Sequence, residues 1–131
     1  ASGYFEWQGT ESKKTPFFIH APDQMICFAG IYSWWRDESK DVSDPSRWVL
    51  TCSILTRDSS ENLANIHDRS PVFLTEDGLD AWISPDYHTT DALISELQVE
   101  SNEVASNLQF HAVSSEVGSV KNNSAELIKK I

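Results

Sequence analysis

The sequence predicts an α+β fold, mainly β, with an antiparallel sheet and peripheral helices. Three observations predict it. The first half of the chain is a series of apolar or alternating runs of strand length, separated by short polar turns. The second half carries helix start signals at Thr75 and Thr90, each followed by apolar residues at helical spacing. A chain of 131 residues with 40% hydrophobic and 11% aromatic content can bury one core, and it reads as one domain, 1–131.

The elements follow in order. Residues 3–8 (Gly-Tyr-Phe-Glu-Trp-Gln) read as a strand and Gly9 to Lys14 as a turn. Thr15 to His20 is a second strand, followed by a turn over Ala21 to Gln24. Met25 to Trp35 reads as one long strand, apolar nearly throughout and therefore buried on both faces. Residues 36–46 form a charged loop, and Trp48 to Thr56 is a further strand. These four segments predict a meander. Ser60 to Asn65 reads as a short helix and Pro71 to Leu74 as a short strand. Thr75 is an N-cap with two acids behind it, opening a helix that runs to about Ile83 and stops before Pro85. Thr90-Asp91 opens another helix, with Leu93, Ile94 and Leu97 along one face. Leu108 to Val113 alternates like a strand, and Ser124 to Ile131 reads as a final amphipathic helix.

Charge and composition exclude several classes. Ten Lys+Arg against twenty Asp+Glu give a net charge of −10 and a pI near 4.6, which repels phosphate at long range. The acid collects in the helical half: 7 − 10 = −3 for residues 1–75 and 3 − 10 = −7 for residues 76–131. A nucleic-acid site is less penalised in the first half. Five Trp, six Phe and three Tyr are too much apolar surface for a disordered chain. The longest strongly apolar stretch, Met25 to Tyr32, is less than half of the ~20 residues a spanning helix needs. No secretory signal pattern opens the sequence, so a cytoplasmic location is expected. Cys27 and Cys52 lie in apolar runs and read as buried free thiols, with a bridge open if their strands are neighbours. No metal-binding spacing and no Gly-rich phosphate loop occur.

Three groups could carry chemistry. Glu6 lies between Phe5 and Trp7, where flanking rings would strip its hydration and raise its pKa toward a general-acid range. The plainer alternative is a solvent-facing strand Glu. His67-Asp68-Arg69 sits in a tight connection ahead of the apolar run Val72-Phe73-Leu74. There His67 could move protons and Arg69 could grip a phosphate, or Asp68 and Arg69 could serve only the turn. Trp34 and Trp35 could stack bases or simply pack. His20, His88 and His111 have no comparable company and are expected to be structural or exposed.

The string Gly3-Tyr4-Phe5-Glu6-Trp7 resembles a motif of the SOS-response-associated peptidase (SRAP) family. The resemblance continues in order through Phe17-Phe18-Ile19-His20, Phe28 to Trp35, Thr51 to Thr56, and Ile66-His67-Asp68-Arg69-Ser70-Pro71-Val72. Later landmarks are Asp80 to Ile83 and the segment from Ala112 to Asn123. It implies a barrel-type SRAP architecture. It also implies binding of abasic sites in single-stranded DNA, with a covalent bond to the sugar aldehyde through an N-terminal cysteine, and self-processing peptidase activity. Glu6 matches the family's catalytic glutamate and His67 the histidine that assists opening of the sugar ring. Arg69 matches a DNA-contacting arginine and Thr56 a threonine at the DNA groove; Trp35 is the base-stacking candidate beside them. Tyr32 stands where the family has Trp and Ser70 where it has Met, both packing changes.

The family's cysteine, further arginines and a catalytic asparagine precede the Gly3 block. The resemblance therefore implies the N-terminal part of the same domain as a partner. A first strand this aromatic is in any case expected to pair with polypeptide ahead of it. Neither Cys27 nor Cys52 carries the free α-amine that thiazolidine closure needs. This chain alone is expected to be inactive, with no cofactor, metal or membrane partner and, in a bacterium, association with the nucleoid. The alternative is a truncated, non-catalytic interaction module, which the acidity favours.

Overall fold

The computed structural model describes residues 1–10, 13–86, 88 and 90–131. The strands in chain order are β1 (Tyr4–Thr10), β2 (Lys13–His20), β3 (Cys27–Phe28), β4 (Gly30–Arg36), β5 (Trp48–Ile54), β6 (Thr56–Asp58), β7 (Arg69–Pro71), β8 (Phe73–Leu74) and β9 (Gln109–Ala112). The helices are α1 (Glu61–Ala64), α2 (Glu76–Ile83) and α3 (Asp91–Ser106). The fold is α+β and mainly antiparallel β. Its strands form the sheets β1-β2-β9, β3-β8, β4-β5 and β6-β7, which do not close into a barrel among the described residues.

The predicted meander is not what forms. β1 and β2 make a hairpin with Glu6 opposite Phe17, but the next neighbour of β2 is β9, from the far end of the chain. The hairpin is longer than its predicted strands, and Glu11 and Ser12 of the predicted turn lie outside the described residues. The single strand expected over Met25 to Trp35 is broken at Ala29. There the chain changes partner. Ala29 donates its N–H to Val72 O (2.9 Å) and accepts from Leu55 N (2.9 Å), so Cys27–Phe28 pairs with β8 while Gly30 onward pairs with β5. β4 and β5 are exposed along their whole length rather than buried on both faces, because no other layer covers them among the described residues. The predicted strand over Trp48 to Thr56 divides in the same way at Leu55.

Two apolar clusters hold the body. One gathers Ile19, Ala21, Ile26, Leu63, Ile66, Phe73, Ala105 and Leu108, with Tyr4, Phe17 and Phe28 packed against it. The other gathers Ala29, Val72, Leu74 and Leu97. Phe73 is fully buried at their junction, a site worth about 2–3 kcal/mol in transfer energy alone. Ser101 of α3 accepts the N–H of Phe73 (2.9 Å), so the helix also satisfies a buried strand donor.

The helix signals read true. Thr75 Oγ1 accepts from Gly78 N (3.0 Å) and donates to Glu100 Oε2 (2.6 Å), tying α2 to α3. Thr90 Oγ1 accepts from Leu93 N (3.2 Å). The final amphipathic helix does not form; only a 3₁₀ turn over Ala125–Ile128 appears. The tail instead lies along β9, with Ile131 N donating to Ala112 O (3.2 Å) and His111 Nε2 to Ile128 O (2.8 Å). Both cysteines are free, but only Cys27 is partly covered; Cys52 is exposed, opposite Tyr32 on the uncovered β4–β5 ribbon. No described helix is long and apolar enough to cross a membrane.

Candidate nucleic-acid interface and proton-transfer site

Alternation along β1 puts Tyr4, Glu6 and Gln8 on one face and Phe5 and Trp7 on the other. Tyr4 turns into the core, edge-on to Phe28 at 5.7 Å between ring centroids. Phe5 instead meets Phe18 at 5.3 Å on the opposite face. The rings that flank Glu6 in sequence therefore do not wall its carboxylate. Its own-face neighbours are Tyr4 and the cross-strand Phe17. Glu6 is half-buried and its Oε1 accepts the N–H of Trp7 (3.1 Å). Burial pushes the Tyr4 hydroxyl well above the usual phenol range, and the negative charge of Glu6 adds to that.

His67 is delivered by the end of α1. Asn62 Nδ2 donates to Ala105 O (2.9 Å) and Leu108 O (3.1 Å), fixing this short helix to the end of α3. The N–H groups of Ile66 and His67 then fold back onto Leu63 O (2.8 and 3.2 Å), and Ser59 N donates to Asp68 O (2.8 Å). His67 Nδ1 accepts from Arg69 N (3.0 Å) when the neutral ring carries its proton on Nε2. When the ring is protonated, Asp68 Oδ1 (3.1 Å) and Arg69 O (3.2 Å) lie within reach of Nδ1–H. Nε2 has no hydrogen-bond partner among the described residues, and the side chain is 43% exposed. The imidazole is thus oriented on one side and open on the other.

Arg69 and Thr56 are brought together by the β6–β7 pair. Arg69 Nη2 donates to Thr56 Oγ1 (2.7 Å) and to Thr56 O (3.0 Å), while Nη1 lies 3.5 Å from Asp58. The guanidinium is half-exposed, two residues from His67. One side-chain bond joins the strand of Glu6 to the loop of His67: Gln8 Nε2 donates to Asn65 O (2.6 Å). Glu6, His67, Arg69 and Thr56 thus lie on connected segments. Trp35 does not join them. It stands opposite Val49 on the ribbon, seven residues along the chain from Thr56, roughly 20 Å of extended strand. Gln8 was not singled out from the sequence; its spacing of two from Glu6, on the same strand face, is the signal that could have found it. Asn62 carried no signal, because its carbonyl partners lie at the far end of α3.

The fold thus presents an oriented imidazole, a half-buried carboxylate and an arginine on a mainly β, α+β scaffold. The comparisons give the family. The model for "SOS response associated peptidase (SRAP)" matches residues 1–120, and the chain belongs to that family. Abasic site processing protein YoqW of Bacillus subtilis is 35% identical over 131 residues, covering 98% of this chain and 54% of the relative. Abasic site processing protein YedK of Escherichia coli is 34% identical, covering 100% of this chain and 55% of the relative. A Bacteroides thetaiotaomicron protein of solved structure superimposes with a TM-score of 0.76 at 23% identity, covering 100% of this chain and 54% of that one, which shows a shared fold. The chain spans about half the length of these relatives.

Proposed function

We propose that this chain supplies the proton-transfer half of a site that processes abasic sites in single-stranded DNA. The attacking amino-thiol comes from polypeptide outside the chain, corresponding to the N-terminal part of the domain. In the proposed chemistry that α-amine adds to the sugar aldehyde and water leaves, giving an imine. The thiol then adds across the C=N bond, its sulfur to carbon and its proton to nitrogen, closing a thiazolidine. His67 serves ring opening of the sugar through Nε2, and Glu6 carries protons to and from the amine. Arg69 and Thr56 take the phosphodiester flank, and Trp35 stacks on a base once the domain is complete. Self-processing peptidase activity belongs to the same carboxylate.

The single observation that carries the reading is the Gln8–Asn65 bond, which couples the strand of Glu6 to the loop of His67 and Arg69. The names of the relatives, abasic site processing proteins, supply the substrate. Support for a completing polypeptide comes from the ribbon. Ile31, Tyr32, Trp34, Trp48 and Leu50 are each at least half exposed there, and an isolated two-stranded ribbon is marginal in water. An open groove of about 460 Å³ between the ribbon and β3, lined by Cys27, Ile31 and Cys52 among others, adds to that uncovered surface. The exposed ribbon, together with the whole chain's net charge of −10, favours the second reading, a non-catalytic protein-interaction module.

The test is to mix the full-length protein with abasic single-stranded DNA and follow the covalent adduct on a denaturing gel. Glu6→Gln and His67→Ala should each slow it on the order of a hundredfold, the usual scale of general acid–base catalysis. Wild-type rates in both would remove the roles. A full-length protein that forms no adduct, yet captures a protein through the ribbon, would favour the second reading.

A further inference from the structure

We infer that Gln8 is a positioning residue that sets the separation of Glu6 from His67. The inference rests on the proposed function in so far as those two groups act together. β1 is anchored on either side of Glu6, to the core at Tyr4 and to the segment after α1 at Gln8. Below it, Tyr4 packs into the cluster that contains Leu63 and Ile66. Above it, Gln8 Nε2 reaches Asn65 O at 2.6 Å. Glu6 precedes Gln8 by two residues, and Asn65 precedes His67 by two. One bond therefore spans the gap between the carboxylate's strand and the imidazole's loop.

The loop side of this bond is stiff. Asn62 is bonded to two carbonyls at the end of α3, and Ile66 and His67 are folded onto Leu63 O. The strand side carries its own ladder, with Glu6 opposite Phe17 and Gln8 opposite Thr15 of β2. Immediately after Gln8 the chain passes through Gly9, at φ 117°, into an exposed hairpin whose residues Thr10, Lys13, Lys14 and Thr15 make no part of the core. The Gln8 bond is the side-chain tie that registers this ladder, and Glu6 with it, against the His67 loop. The Gln8 amide donates a hydrogen bond and takes no part in the chemistry. It acts through the placement of Glu6.

Three substitutions separate a donor effect from a charge effect. Gln8→Met and Gln8→Glu remove the donor, one without adding charge; Gln8→Lys retains a donor. In the full-length protein with abasic single-stranded DNA, the single-turnover adduct rate should fall roughly tenfold in Met and Glu and return to within about twofold in Lys, since small displacements of a catalytic group cost rate more than binding. The DNA Kd should change less than about twofold throughout. In this chain without DNA, the Asn65, Ile66 and His67 NMR signals should move in Met and Glu and stay near wild type in Lys. Met behaving as wild type in both assays, or Lys as slow as Met, would overturn the inference. If no variant and not even the wild type forms an adduct, the proposed function fails, while the His67 signals still decide whether Gln8 couples the two segments.

Discussion

Asn62 links the candidate site to the core, and its removal should be felt in both. In Asn62→Ala two hydrogen bonds are lost, to Ala105 O and Leu108 O, at 2.9 and 3.1 Å in a partly buried setting. At roughly 0.5–1.5 kcal/mol net for each, the cost is about 2 kcal/mol. A 131-residue chain has an unfolding entropy near 0.28 kcal/mol/K at about 2.1 cal/mol/K per residue, so Tm should fall by roughly 7 °C. Calorimetry or urea melting reads the stability. Amide exchange at Ile66 and His67, whose N–H groups bond Leu63 O, reads whether α1 has loosened. Asn107→Ala is the control. Its Nδ2 bonds Glu103 O (3.0 Å) on the exposed side of the same helix end, and its loss should stay within about 0.5 kcal/mol. If Asn62→Ala is no more costly than Asn107→Ala and leaves exchange unchanged, the claim that α3 holds the His67 loop is wrong.

Two further outcomes follow from local geometry. Gly9 has φ 117° and a Cβ there would collide with the Lys13 carbonyl oxygen, so Gly9→Ala should cost at least about 1–2 kcal/mol and disturb the β1–β2 amide shifts; a neutral effect in denaturant melts would contradict that turn. The Ser39 hydroxyl, helped by the Ser39 N–H and the charge of Lys40, holds the Asp37 carboxyl below the usual carboxylate range, and Ser43 does the same for Asp41. Because these folded values are depressed, the loop's contribution is present above the ordinary carboxylate pKa and lost as pH falls through the folded value. Carboxyl NMR titration should show Asp37 moving up in Ser39→Ala, and an unchanged midpoint would break the assignment.

What local signals determine was legible in the sequence. The caps at Thr75 and Thr90, the first hairpin and the strand Gln109–Ala112 rest on interactions a few residues long or on simple alternation, and each formed where its pattern lay. His67 and Arg69 were named from their setting and Thr56 from the resemblance, and the fold joins Arg69 to Thr56 directly.

Beyond the first hairpin, which strand lies beside which was settled by tertiary structure alone. The apolar run from Met25 to Trp35 gives no hint that Ala29 would exchange β8 for β5, because both halves alternate or pack equally well until Val72 and Leu55 supply the hydrogen bonds. Nor could apolar character tell a buried strand from an uncovered one. Trp34 and Trp35 could stack or pack by sequence and stand on a bare ribbon, since burial is a property of what lies opposite, and among the described residues nothing lies there. The contact of Gln8 with Asn65 spans 57 residues of chain, beyond any periodicity, and exists only because the core brings β1 against the end of α1.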